Sequence, residues 1–188
     1  ITPHAVRACE FSGSCSTIVD NVGTFATMHA PGVAYDYTRK LWWIVAVDPT
    51  DGISLRVTRT ADLVFYTRMG GVIVDSGGNQ VSTRNAPAAA YDPVSDRILV
   101  AFNNFGEVAF APCSSTKGCS HDIEVVSAPA NPLAPFQWGP RVMFKAAGST
   151  ALGNSMYGAV ALQCDSSSGG KNCVIAATGR DVARSIMS

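Results

Sequence analysis

The sequence predicts an all-β fold, and three observations predict it. No stretch sustains a helical apolar period, whereas short apolar or alternating runs recur between turns rich in Gly, Pro, Asp and Ser. One plan is repeated: Ala30-Pro-Gly-Val-Ala-Tyr-Asp-Tyr-Thr-Arg-Lys-Leu-Trp-Trp-Ile-Val-Ala-Val47 returns as Ala86-Pro-Ala-Ala-Ala-Tyr-Asp-Pro-Val-Ser-Asp-Arg-Ile-Leu-Val-Ala-Phe102. A weaker copy begins at Gly139-Pro-Arg-Val-Met-Phe-Lys145 and resumes at Tyr157-Gly-Ala-Val-Ala-Leu162, so that Pro31, Pro87 and Pro140 stand 56 and 53 residues apart. A repeat of that length holding several strands per unit is the signature of a β-propeller, whose blades are four-stranded sheets.

Taken in order, residues 1–30 read as an outer half-blade. His4–Cys9 is a strand, Cys9 to Cys15 closes a hairpin, and Ser16–Val22 returns. The blade of residues 31–86 has strands at Gly32–Tyr35, Leu41–Val47 and Ile53–Arg59, with a fourth at either Leu63–Thr67 or Gly71–Val74. The blade of residues 87–139 repeats this with Ala88–Tyr91, Arg97–Phe102, Glu107–Pro112 and Asp122–Val126. A last blade, 140–188, opens with Arg141–Phe144 and continues with Tyr157–Cys164 and Cys173–Ala177. In each motif Asp36 or Asp92 is placed to cap the turn between the first two strands, and Tyr35, Tyr91 or Phe144 to pack between blades.

The six cysteines form three close pairs, Cys9/Cys15, Cys113/Cys119 and Cys164/Cys173, each flanking a turn-like segment. Two cysteines across a short hairpin meet at disulfide distance, and an even count so arranged points to a secreted, extracellular protein. Separations of six and nine miss the close spacing of zinc ligands. A secreted chain carries a leader, so one beginning Ile1-Thr2-Pro3 is expected to be a processed form.

Fourteen basic and fourteen acidic side chains leave no net charge, which argues against nucleic acid as a partner. No apolar run is long enough for a membrane-spanning helix.

The unit Pro-x-[Val/Ala]-Ala-Tyr-Asp, followed by Arg or Lys and an apolar strand, resembles the repeats of secreted bacterial β-propellers of the sialidase-like kind. It is met at Pro31–Val47 and Pro87–Phe102 and in degraded form at Pro140–Leu162. The resemblance implies a propeller serving as a lectin, a glycosidase or an accessory domain. The intact Asp-box, Ser-x-Asp-x-Gly-x-Thr-Trp, is missing, so no catalytic residue is carried across.

About three and a half blades are fewer than a closed ring requires, and a blade packs only against its neighbours. A second chain, cut from the same precursor, is therefore expected to complete the ring, with symmetric dimerisation as the alternative.

Candidate ligand-binding residues are the loop pair Phe136 and Trp138, Trp43 in an all-apolar strand, and Arg39 and Arg141 for acidic or hydroxylated groups. Val74-Asp-Ser-Gly-Gly78 invites comparison with a serine-protease nucleophile but reads as a glycine turn. Asp48-Pro-Thr-Asp-Gly52 offers a weak calcium loop; otherwise no metal or cofactor is expected.

Three functions follow from these readings. The first is recognition of a glycan or protein through the loop face. The second is a glycoside hydrolase whose site is shared between two chains. The third is an accessory domain of a larger exoprotein.

Overall fold

The structure, a computed structural model, describes residues 3–20, 23–83, 85–105, 121–131, 137–145, 155–165 and 173–181, and within these every regular element is a strand. Six short strands open the chain: β1 His4–Ala5, β2 Arg7–Cys9, β3 Cys15–Thr17, β4 Val19–Asp20, β5 Gly23–Thr24 and β6 Ala26–Thr27. They turn about three buried residues whose backbones close a ring: Val6 donates to Phe25 (2.9 Å), Ile18 to Val6 (3.0 Å) and Phe25 to Ile18 (3.0 Å). The single return strand expected over Ser16–Val22 is accordingly broken into pieces. β4 leaves the group and pairs in parallel with the first complete sheet.

That sheet holds β7 Gly32–Asp36, β8 Leu41–Val47, β9 Leu55–Thr60 and β10 Phe65–Val72, with β4 and β5 along its outer edge. β8 is apolar throughout because both of its faces are covered. Trp43, Val45 and Val47 enter one core, and Ile44 and Ala46 enter another with Val6, Ile18, Phe25 and Tyr66. The fourth strand spans both sequence alternatives. Its register slips between Arg68 and Val72, where Gly70 takes φ 89°, so a glycine bulge joins what read as two separate strands.

The second sheet holds β11 Ala88–Asp92, β12 Arg97–Phe105, β13 His121–Pro129 and β14 Val142–Lys145 in that order. Here the repeat misleads. The strand predicted to open the 140–188 blade hydrogen-bonds to β13, with Val125 opposite Val142, and closes the second sheet instead. The following layer is a hairpin of β15 Ser155–Cys164 and β16 Cys173–Asp181. The predicted strand Glu107–Pro112 lies outside the described residues.

The sheets stack face on face. Ala34, Trp43, Val45 and Val57 of the first sheet meet Ala89, Tyr91, Ile98, Val100 and Phe102 of the second. The second sheet turns Ala88, Ala90 and Ala101 toward Leu162 and Cys164 of the hairpin. Near the axis the inner strands approach so closely that a Cβ on Gly32 would stand 2.8 Å from the Pro87 carbonyl oxygen. Sheets buried on both faces by their sequence neighbours make a propeller segment.

Two of the three expected disulfides fall within the described residues and form: Cys9–Cys15, and Cys164–Cys173 across the β15–β16 turn. Cys113 and Cys119 lie outside them.

Candidate functional site

Both inner turns are built alike. Asp36 Oδ1 accepts the amides of Thr38 and Arg39 (both 3.0 Å), and Asp92 Oδ1 accepts that of Val94 (2.9 Å). Lys40 and Asp96 then take the left-handed conformation (φ 55° and 53°) that reverses the chain into β8 and β12. The two turns meet. Arg39 makes a two-pronged pair with Asp96 (2.7 and 2.6 Å) while also holding Asp36 (2.9 Å), and the Tyr91 hydroxyl donates to Asp96 and lies 3.0 Å from Thr38 Oγ1. The Arg39 hydrogen bonds, with a smaller contribution from Tyr91, hold the Asp96 carboxyl below its ordinary range despite its partial burial. Arg39 is thus committed to joining two blades.

Trp43 is fully buried, with the guanidinium of Arg59 6.0 Å from the centre of its ring, so it offers no face to a ligand. Phe136 lies outside the described residues. Trp138, in contrast, lines an open cleft of about 480 Å3 between the two sheets, whereas Arg141 is not among its lining residues and bonds to Asp75, which is. One wall is the glycine bulge of β10 with Val72 and Val74. The other is Gln137 and Trp138, and the turn from Asp75 to Gly78 closes the end. Trp138 is 7% exposed and belongs mainly to the core, so it contributes an edge to the floor.

The turn Asp75-Ser-Gly-Gly78 is the glycine turn that its composition implied. Asp75 Oδ1 accepts the amides of Gly77 (2.9 Å) and Asn79 (2.8 Å), and Gly78 sits at φ 82°. Arg141 clamps this turn to the second sheet by donating to Asp75 Oδ2 (2.6 Å) and the Gln80 carbonyl (2.7 Å), with Glu124 3.6 Å away. Burial pushes the Asp75 carboxyl up, but the Asn79 amide and the Arg141 guanidinium together outweigh it and hold the group below the ordinary carboxylate range. Asp75 therefore stays ionised and organises the cleft.

Ser76, weighed in the sequence only as a nucleophile, and Gln137, not singled out, also line the cleft. The clamp behind them joins residues 66 apart, a pairing that no local spacing announces.

In the Asp48–Gly52 loop, Asp48 Oδ1 accepts the Thr50 amide (2.8 Å) and pairs with Arg56 (3.0 Å). Asp51 accepts the amides of Ile53 and Ser54 and the Ser54 hydroxyl. These carboxylates are spent on the turn rather than gathered around a cation. Among the described residues no three His, Cys, Asp or Glu side chains converge as a metal site.

No protein-family model and no curated protein matches the sequence. Solved structures do match in fold. One is the exo-β-1,3-galactanase of Phanerochaete chrysosporium with galactose (TM-score 0.54, 12% identity, 93% of this chain and 37% of that one). Its E208Q form with β-1,3-galactotriose matches similarly (TM-score 0.53, 14% identity, 96% and 37%). So does an N-acetylgalactosamine deacetylase of F. plautii in complex with blood group B trisaccharide (TM-score 0.52, 13% identity, 88% and 43%). At such identity the likeness shows the fold, a β-propeller, and the chain spans less than half the length of these structures.

Proposed function

We propose that this chain is part of a secreted β-propeller that binds a glycan in the cleft between its first two complete sheets, the ring being completed by another polypeptide. The observation that carries the reading is the make-up of the cleft. Its lining combines the apolar Val72, Val74 and Trp138 with the polar Ser76 and Gln137 and the uncrowded Gly70 and Gly71. A pyranose has the same two-sided character, with apolar C–H faces and a rim of hydroxyls. The galactan-related ligands of the structural neighbours support a galactoside as the first sugar to test.

Among the described residues, the acidic groups at the cleft favour binding over hydrolysis. A glycosidase requires a carboxyl that keeps its proton near neutral pH beside a second, ionised one. Asp75 is held ionised, and its nearest acidic neighbour through Arg141, Glu124, faces the same guanidinium. The rival reading, a hydrolase with a site shared between chains, draws on the galactanase neighbours alone. The two disulfides support secretion.

Calorimetric titration with β-1,3-galactotriose tests the proposal. We expect saturable binding that is lost in Gly71→Phe, since nothing stands within 4 Å of a Cβ there and the new ring fills the cleft without disturbing the core. No heat at millimolar sugar, or binding indifferent to Gly71→Phe, would remove the cleft as the site. Release of free galactose from the trisaccharide would replace binding by hydrolysis.

A further inference from the structure

The cleft carries charge of one sign. Among the described residues that line it Asp75 alone is charged, and no Lys, Arg or His stands beside it. The stretch of sequence before Gln137, Pro132-Leu-Ala-Pro-Phe136, adds no charge. Behind Asp75 the guanidinium of Arg141 is shared by two acids. Its Nε donates to Asp75 Oδ2 at 2.6 Å, and its Nη1 lies 3.6 Å from Glu124 Oε2. Two carboxylates against one guanidinium leave one negative charge in excess. The three side chains are largely withdrawn from water, with 5% of Asp75, 21% of Arg141 and 10% of Glu124 exposed. Solvent and salt therefore screen that excess less than they would on an open surface.

The other cations near the cleft are already paired or turned away. Arg56, opposite Val72 in the first sheet, is paired with Asp48 at 3.0 Å. Arg68 alternates with Met69 along β10. It stands opposite Thr58, itself opposite Ile44, on the face turned to the amino-terminal strands. Arg97 donates to the Ser127 hydroxyl (2.9 Å) and carbonyl (3.0 Å), on the face of the second sheet where Leu99 and Ala101 meet the hairpin. The backbone of Gly139 stands between Arg97 and Ser76. Among the described residues, then, no cation lines the cleft to receive a ligand's carboxylate.

We infer that the cleft sorts saccharides by charge, taking neutral and amino sugars and turning away those that carry a carboxylate, with Glu124 as the residue that sets the preference. This rests on the reading that the cleft binds a glycan. A ligand carboxylate would leave bulk water to sit beside the Asp75 carboxylate without a partner, which is the costly arrangement for an ion losing its hydration. Sugar hydroxyls exchange hydrogen bonds with Ser76 and Gln137 free of that penalty, and an ammonium group is drawn by the excess negative charge. Glu124 sets the preference because it is the acid left over. Without its charge, Arg141 and Asp75 remain a balanced pair, whereas loss of either of those two undoes the clamp that shapes the Asp75–Gly78 turn.

Calorimetric titration of the full chain at low ionic strength tests the inference with four probes. They are β-1,3-galactotriose, its analogue with a terminal 2-amino-2-deoxygalactose, its analogue with a terminal galacturonate, and the methyl ester of that galacturonate. The acid is expected to bind about tenfold more weakly than galactotriose. Its ester, which has no charge, should bind like galactotriose, and the amino sugar at least as tightly. Added salt should narrow the gap. Glu124→Gln, with thermal unfolding as its folding control, should reduce the gap to about threefold or less. Ser76→Lys should bring the acid level with galactotriose or above it, since Ser76 is exposed and it is its amide that is bonded to Gly139. An acid that binds the wild type as tightly as galactotriose, an ester as weak as the acid, or a gap unchanged in Glu124→Gln overturns the inference and leaves the cleft a glycan site. Absence of heat with every probe removes the glycan reading and this one with it.

Discussion

Tyr35 and Tyr91 occupy the same place in two copies of one motif, each preceding the aspartate that caps an inner turn. Tyr91 is buried against the first sheet, its hydroxyl beside Thr38 and donating to Asp96, whereas Tyr35 leans on Trp42 with two fifths of its surface in solvent. The motif sets where a tyrosine points along the strand. The sheet that precedes it in the stack sets whether pointing there excludes water. Stability in such a fold is held at interfaces between layers, and among the described residues no layer covers Tyr35 as the first sheet covers Tyr91.

The largest expected effect breaks that contrast directly. Tyr91→Ala removes a packed ring and its hydroxyl and should cost about 3–5 kcal/mol, read by urea unfolding with the disulfides intact. Tyr35→Ala in the isolated chain should cost no more than about 0.5 kcal/mol. Equal losses would mean that the two faces are alike.

Next comes the clamp across the cleft. Arg141→Met leaves Asp75 buried without its counter-charge and should cost about 3 kcal/mol. It should also weaken β-1,3-galactotriose binding, because the wall formed by the Asp75–Gly78 turn is no longer fixed.

The pair joining the inner turns is more exposed, and Arg39→Met should cost about 1 kcal/mol or less. Its sign with pH is definite. The Asp96 carboxyl lies below its ordinary value of 3.8 in the folded chain, so its contribution is complete above that pH and fades as pH falls toward the folded value. Arg39→Met should therefore lower stability by a constant amount above about pH 5 and flatten the acid limb below it. The smallest effect sharpens the same comparison: Tyr91→Phe should cost about 1 kcal/mol for its hydroxyl, and Tyr35→Phe nothing measurable.

Much of the fold was legible because propeller strands are short and punctuated. Leu41–Val47 was found to the residue, as a wholly apolar run bounded by Lys40 and Asp48 must be, and Asp36 and Asp92 cap the turns their composition promised. The sequence misled where a proline-led motif was taken as a boundary. Val142–Lys145 follows Pro140 as Gly32–Asp36 follows Pro31, yet it closes the sheet already begun, because strand order is decided by pairing partners that a linear motif does not encode. Burial of adjacent tryptophans was equally hidden. Trp42 and Trp43 must face opposite ways, but which of them is enclosed depends on which neighbouring layer is present. The cleft was partly visible: Trp138 was singled out, and Arg141 too, though it bonds Asp75 rather than lining the cleft, while Ser76 and Gln137 line one cleft only when the first two sheets stack.

The central claim, sheets buried by their neighbours with an open face at the end, is tested most directly by hydroxyl-radical labelling of individual tyrosines, first in the dilute isolated chain and then in its native assembly. The account predicts Tyr91 protected in both, and Tyr35 labelled in the first and protected in the second. Tyr35 and Tyr91 equally protected in the isolated chain, or Tyr35 equally labelled in both, would contradict it.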